Sequence, residues 1–136
     1  MAVKKKFVSG VGRRKSSVAR VWLYEGKGEM IVNDKPIKEY FSENKEAALN
    51  WVQPFHAIGV AHPTAKFHAT IKVNGGGKAG QLDSVTLGFS RALIELDPKN
   101  KEILRTSGLV TRDARKKERK KPFLVKARKR PQYSKR

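Results

Sequence analysis

The stretch Phe67-His68-Ala69-Thr70-Ile71-Lys72-Val73-Asn74-Gly75-Gly76-Gly77-Lys78, with the apolar series that follows it, decides the fold. Phe67, Ala69, Ile71 and Val73 alternate with His68, Thr70 and Lys72, the period of a strand with one buried face. Three glycines end the alternation at once. Leu82, Val85, Phe89, Leu93 and Leu96 then recur at spacings of three and four, the stripe of a strongly amphipathic helix. Asp97-Pro98 stops it. A strand, a tight glycine turn and a long helix make the centre of a two-layer unit.

Upstream, Ala19, Val21 and Leu23 alternate with Arg20, Trp22 and Tyr24 inside a β-rich stretch from Lys15 to Tyr24. Glu25-Gly26-Lys27-Gly28 reads as a turn and Glu29 to Asn33 as a second strand, so the pair is expected to form a hairpin. Asn33-Asp34-Lys35-Pro36 breaks it, and Pro36 suits the first turn of a short helix ending near Phe41. Ser42 or Asn44 is placed to cap a further helix, with Glu43 and Glu46 in its first turn. Ala47, Ala48, Trp51 and Val52 would be its apolar face, and Pro54 would end or kink it. Phe55 to Ala65 reads as irregular. Downstream, Lys99 to Thr106 reads as a short helix closed by Gly108. The order is strand, strand, helix, strand, helix, helix, tail. This is an α+β fold, a small sheet with helices on one face.

The 136 residues carry a net charge of +19, and it is unevenly spread. Residues 1–20 hold seven basic residues and no acid, residues 21–111 are nearly neutral, and residues 112–136 hold thirteen basic residues against two acids. The expected organisation is a body over 1–111 and an extended basic tail over 112–136. Such a density repels itself in water and becomes favourable against a polyanion. Pro122 and Pro131 argue against one unbroken tail helix. Nucleic acid is favoured over acidic lipid or a merely solubilising tail. There is no cysteine, which excludes disulfides and thiolate metal sites. No apolar run approaches the ~20 residues of a membrane span, and no apolar signal core follows the first lysines. The expected setting is a soluble, intracellular one.

Two further segments fit phosphate. Gly12-Arg13-Arg14-Lys15-Ser16-Ser17 leads into a strand, with Arg geometry suited to bidentate contact. Gly75-Gly76-Gly77-Lys78 precedes a helix N-terminus, where backbone N–H groups are open to an anion. Its readings are an RNA-phosphate contact or a purely structural turn. It is no Walker loop, since Ala79 follows Lys78, and no acidic residue ends a strand ~20 residues later, as a dinucleotide site would need. His56, His62 and His68 recur every six residues, which is not a metal-ligand spacing. Ser16 and Ser17 have no histidine near in sequence, and no carboxylate pair has a motif context. Catalytic residues, metal and cofactor are therefore all expected to be none. Trp22, Tyr24, Trp51 and Phe89 read as core or edge aromatics rather than base-stacking platforms.

Three blocks together carry a family resemblance: Gly12-Arg13-Arg14-Lys15-Ser16-Ser17-Val18-Ala19-Arg20-Val21; the triple glycine with Gly80-Gln81 and Ser90-Arg91-Ala92-Leu93; and Thr111-Arg112-Asp113-Ala114-Arg115-Lys116-Lys117-Glu118-Arg119-Lys120-Lys121-Pro122 running on to the closing Gln132-Tyr133-Ser134-Lys135-Arg136. Over essentially its whole length the chain resembles the bacterial-type small-subunit ribosomal protein nine family. The resemblance implies an α+β unit with a left-handed βαβ crossover, and a structural protein rather than an enzyme. It implies binding to ribosomal RNA in the head of the small subunit, the 3′ major domain, beside neighbouring head proteins. The residues expected to meet that RNA are Arg13, Arg14, Lys15, Arg20, Gly75, Gly76, Gly77, Lys78, Arg112, Arg115, Lys116, Lys117, Arg119, Lys120, Lys121, Lys126, Arg128, Lys129 and Arg130. Ser134, Lys135 and Arg136 would approach the P-site tRNA. The setting implied is a cytoplasmic ribosome, bacterial or organellar, with no membrane. The rival of similar size and charge, a ribonuclease P protein, would need an Arg-Asn-Arg helix signature that is absent.

Overall fold

The computed structural model describes residues 7–43 and 45–134. Lys4, Lys5, Lys6, Asn44, Lys135 and Arg136, on which expectations above fall, lie outside the described residues, as does the side chain of Ala48. Five strands and six helical segments follow in chain order: β1 (Phe7–Arg14), β2 (Ser17–Glu25), β3 (Met30–Val32), β4 (Lys35–Pro36), α1 (Ile37–Tyr40), α2 (Ala47–Asn50), α3 (Gln53–Ala57), α4 (Pro63–Lys66), β5 (Phe67–Asn74), α5 (Lys78–Leu96) and α6 (Asn100–Thr106). The sheet order is β1-β2-β5-β3-β4. Among the described strands only the β3–β5 pair is parallel.

The centre is as the sequence pattern requires. Phe67, Ala69, Ile71 and Val73 are buried on one face of β5, and Leu82, Val85, Phe89 and Leu93 are buried on α5. Burying each such side chain contributes roughly 1.5–3 kcal/mol before the entropy of ordering is subtracted. Ala19, Val21 and Leu23 join them from β2, with Trp51 and Phe55 closing the aromatic centre around Phe89. α5 packs on this face, and no outward position of β1, β2 or β5 is buried, so the architecture is α+β with a mixed sheet.

The expected hairpin between residues 15–24 and 29–33 does not form. β2 instead pairs with β1, and β5 lies between β2 and β3. The glycines of the supposed turn bond elsewhere: the Gly26 N–H donates to the Lys66 carbonyl at 2.8 Å and Gly28 N–H to Thr64 at 3.1 Å. They carry the chain across the end of β5. The true hairpin beside β3 is with β4, through Asn33 (φ 48°) and Asp34 (φ 68°), both left-handed as a two-residue hairpin loop demands. The Asn33 side chain then extends the parallel ladder, its Nδ2 donating to the Val73 carbonyl and its Oδ1 accepting from the Val73 N–H, each at 3.0 Å.

The helix expected after Ser42 is reduced to a turn and the single turn of α2. Pro54 lies in the first turn of α3 rather than ending a helix, because its missing N–H is an orphan in a first turn anyway. The stretch from Phe55 to Ala65, which lacks a sequence period, contains most of α3 and the start of α4.

β1 is the strand that the sequence pattern hides. Its inward positions are Val8, Gly10, Gly12 and Arg14, and α5 lies directly on the glycines. A Cβ at Gly12 would overlap the Ser84 carbonyl, and one at Gly10 the Gly88 carbonyl. β1 is also an edge strand, and α5 meets its backbone: Arg91 Nη1 donates to the Val11 carbonyl at 2.6 Å, and the Ser9 N–H donates to Glu95 Oε2 at 3.2 Å. These contacts occupy groups that would otherwise template another strand.

Candidate nucleic-acid interface

The β1–β2 register ends on Arg14 opposite Ser17, so Lys15 (φ 53°) and Ser16 form the turn. The β2–β5 register ends on Val18 opposite Asn74, which brings Gly75–Gly77 to the same end of the sheet. Gly75 (φ 74°) and Gly76 (φ 64°) are left-handed and pressed against Ser16 and Ser17. Ser17 Oγ donates to the Gly75 carbonyl at 3.0 Å, and Gln81 Nε2 donates to the same oxygen at 3.1 Å. Gly77 faces open space, and no side chain caps the N-terminus of α5 there. The two phosphate-binding candidates, 60 residues apart in sequence, are thus one surface.

The tail begins on that surface. Arg14 is the half-buried junction: its Nη1 is 2.7 Å from Asp113 Oδ1 and donates to the carbonyls of Asp113 and Arg115, while its Nε is 3.5 Å from Asp83 on α5. Arg115 grips the same aspartate, through Nε at 3.0 Å, Nη2 at 2.7 Å and its own amide at 3.0 Å. The side-chain hydrogen bonds from Arg115, followed by its backbone amide, hold the Asp113 carboxyl well below the usual carboxylate range. The same pairing raises Arg115 further. Arg14, the last residue of β1 before the hairpin turn, therefore fixes the root of the tail.

Lys78 has a partner of its own. Its Nζ sits 3.4 Å from the centroid of the Tyr40 ring and donates to the Tyr40 carbonyl at 3.2 Å. The Tyr40 hydroxyl in turn donates to Gln81 Oε1 at 2.8 Å. The ammonium thus ties α5 to α1.

Beyond Thr106 no described residue belongs to a helix or strand, though Leu109 and Val110 still pack on the core. Both tail acids are held by cations. Glu118 takes Lys121 at 2.6 Å and Arg128 at 3.0 Å, and the Lys121 hydrogen bond chiefly lowers its pKa. Arg112, Lys116, Lys117, Arg119, Lys120, Lys126, Lys129 and Arg130 have no carboxylate within 4.0 Å among the described residues. Phe123 and Tyr133 stand fully exposed between the cations. Ser134 lies at the end of the described chain.

Arg13 and Arg20 lie on the sheet face that no described helix covers. Arg20 is directly opposite Lys72, a cation that charge counting along the sequence passed over. The signal was present in the alternation of β5, which turns Lys72 to the same side as Arg20 turns on β2. Among the described residues no cluster of three or more His, Asp or Glu side chains is arranged to hold a metal ion. No described helix is long and apolar enough to cross a membrane.

A family profile described as ribosomal protein S9/S16 matches residues 12–136. The chain is 50% identical over 127 residues to the small ribosomal subunit protein uS9 of Trichormus variabilis, a match covering 93% of this chain and 90% of that one. It is 46% identical over 127 residues to the protein of the same name from Synechocystis, with the same coverage. It is 44% identical over 131 residues to that of Azobacteroides pseudotrichonymphae, covering 95% of this chain and 98% of the relative. The match takes in the hairpin turn, the glycine turn and the tail together. The chain belongs to the ribosomal protein S9/S16 family.

Proposed function

We propose that the protein binds ribosomal RNA in the head of the small subunit, its 3′ major domain, and that the tail tip Ser134, Lys135 and Arg136 contacts the P-site tRNA during translation. Family membership makes the protein a structural constituent of the small ribosomal subunit, associated with its RNA and proteins, and not an enzyme. The observation that carries the RNA reading is the convergence of the hairpin turn, the open glycine turn and the tail root at one end of the sheet, continued by eight tail cations without carboxylate partners among the described residues. Phosphates are the matching partner for cations arranged in this way.

Within this reading Arg13, Lys15, Arg20, the Gly75–Gly77 backbone and the unpaired tail cations contact phosphate directly. Arg14, Arg115 and Lys78 chiefly hold their own chain in place for that contact. The division is a body to residue 111 and an RNA-anchored tail from 112. The adjacent, parallel β3 and β5, joined through β4 and four helical segments, make a crossover connection, and its left hand is what the family resemblance implies. The setting is the cytoplasmic or organellar ribosome of bacterial type.

The test is a truncation. Subunits reconstituted with a chain lacking Ser134 to Arg136 should assemble normally and hold P-site tRNA more weakly. Equal tRNA affinity in full-length and truncated subunits would remove the tip from the mechanism.

A further inference from the structure

The sheet has a second face, and no described helix covers it. Its outward residues form cross-strand rows: Arg13, Val18 and Asn74; then Val11, Arg20 and Lys72; then Ser9, Trp22, Thr70 and Ile31; then Phe7, Tyr24 and His68. None of them is buried. The face is divided. At one end Tyr24 stacks on His68 with ring centroids 5.0 Å apart and planes 8° from parallel, and Phe7 leans on Tyr24 at 5.8 Å. At the other end a shallow concavity of about 760 Å³ is lined by Arg13, Arg20, Asn33, Asp34, Lys72 and Asn74, among others. Trp22 stands between the two halves, with the Lys72 ammonium 6.0 Å from its ring centroid.

Arg20 and Lys72 are direct cross-strand neighbours, and neither has a carboxylate within 4.0 Å among the described residues. Like charges directly opposite on antiparallel strands destabilise the pair. An anion seated between them reverses the sign of that term. Beside this anion position lies the partly exposed indole of Trp22, a side chain of the kind on which a nucleobase stacks.

We propose that this uncovered sheet face binds unpaired RNA, with backbone phosphate at Arg20 and Lys72, Arg13 extending the track, and a base laid on Trp22. This deepens the RNA-binding reading and rests on it. Unpaired RNA is specified because a duplex keeps its base faces stacked, while a ring on a sheet surface is reached only by a splayed base. An acidic protein segment would satisfy the cations but would leave the indole face without its partner.

The experiment titrates the full-length protein against a short end-labelled uridine oligomer and a labelled RNA duplex, reading affinity from the anisotropy of the RNA label and, in the wild type, contact at Trp22 from tryptophan emission. Trp51 is buried in the core, so a change on binding reports Trp22. The oligomer should quench the emission. Trp22→Thr should weaken the oligomer by roughly 5- to 150-fold while leaving the duplex within a factor of about two, and Trp22→Phe, which keeps a ring, should retain most of the affinity. Arg20→Gln with Lys72→Gln should lower the log–log salt slope for the oligomer by ~1.4, ~0.7 for each phosphate contact. Unchanged oligomer affinity and slope in these variants, with the wild type still binding RNA, overturns the site and leaves the RNA reading standing. A wild-type chain that binds no RNA overturns both. Quenching by poly-glutamate but not by the oligomer assigns the face to an acidic protein instead.

Discussion

Arg14 and Asp113, 99 residues apart in sequence, meet at 2.7 Å, the first on the last residue of β1 and the second at the root of the tail. The pair joins the two most basic regions of the chain through one of its few acids. Arg14 is only 14% exposed, so the interaction is not an ordinary surface ion pair.

Replacing Arg14 with Gln should release the tail root without unfolding the body. The Arg115 amide, which donates to Asp113 Oδ1, reports this directly. Its hydrogen exchange should accelerate roughly tenfold in the variant, as for a locally opened segment. The amides of β5 should exchange at their wild-type rates. An unaltered Arg115 rate would show that the junction does not hold the tail.

Asp113 also sets a pH dependence. Its carboxyl is depressed in the folded protein, so the stabilisation is fully present above the ordinary aspartate value of ~3.9 and is lost only as pH falls through the lower folded value. The tail root should therefore remain docked at mildly acidic pH and detach only in strong acid. Following the Asp113 side-chain carboxyl by NMR should give a midpoint well under ~3.9. A midpoint at that ordinary value contradicts the geometry.

Gly12→Ala should be among the most damaging small substitutions in the body. The added methyl meets the Ser84 carbonyl, which is helix backbone and has nowhere to move. A loss of ~2–3 kcal/mol, or on the order of 10 °C in thermal midpoint, is expected. Gly77→Ala, at an open position with negative φ, should change stability by less than about 1 kcal/mol. Thermal denaturation followed by circular dichroism distinguishes the two.

The tail cations should divide by their partners. Changing Lys116, Lys117 and Lys120 together to Gln should lower the log–log salt slope of RNA affinity by ~2–3, since each lost phosphate contact removes ~0.7–0.9. Arg128→Gln should lower it less than one full contact, because Glu118 already neutralises part of that charge. Equal effects per residue would mean that the Glu118 pairing dissolves on RNA.

β5 and α5 are legible in the sequence because their apolar periods run unbroken against a polar background. β1 is not, because two of its inward positions are glycines, which carry no hydrophobic signal, and the reason for them lies on α5. The hairpin expected between β2 and β3 was a natural reading of a glycine-rich turn between two alternating runs. Its displacement depends on β5, whose pairing with both strands is set far along the chain. The site shows the same division. Its cations could be counted, but the partners of Arg14 and Lys78 are brought to them only by folding. Trp22 and Tyr24 differ from Trp51 and Phe89 in the side of an element they occupy: the first two lie on the open face and the others in the core.

The seating of Gly10 and Gly12 beneath α5 also imposes an order on synthesis. β1 precedes α5 in the chain, so the surface it needs, from Ser84 to Ala92, is translated some seventy residues after it. Gly10 and Gly12 can take their places against α5 only once that helix exists. Residues 97–136, which follow Leu96 in synthesis, carry all of the excess positive charge outside the first twenty residues. The elements of the core thus precede the adhesive end of the chain, and Arg14 is already placed at the end of its hairpin when Asp113 arrives. A nascent chain built in this sequence offers RNA its tail only after it has a body for the tail to anchor.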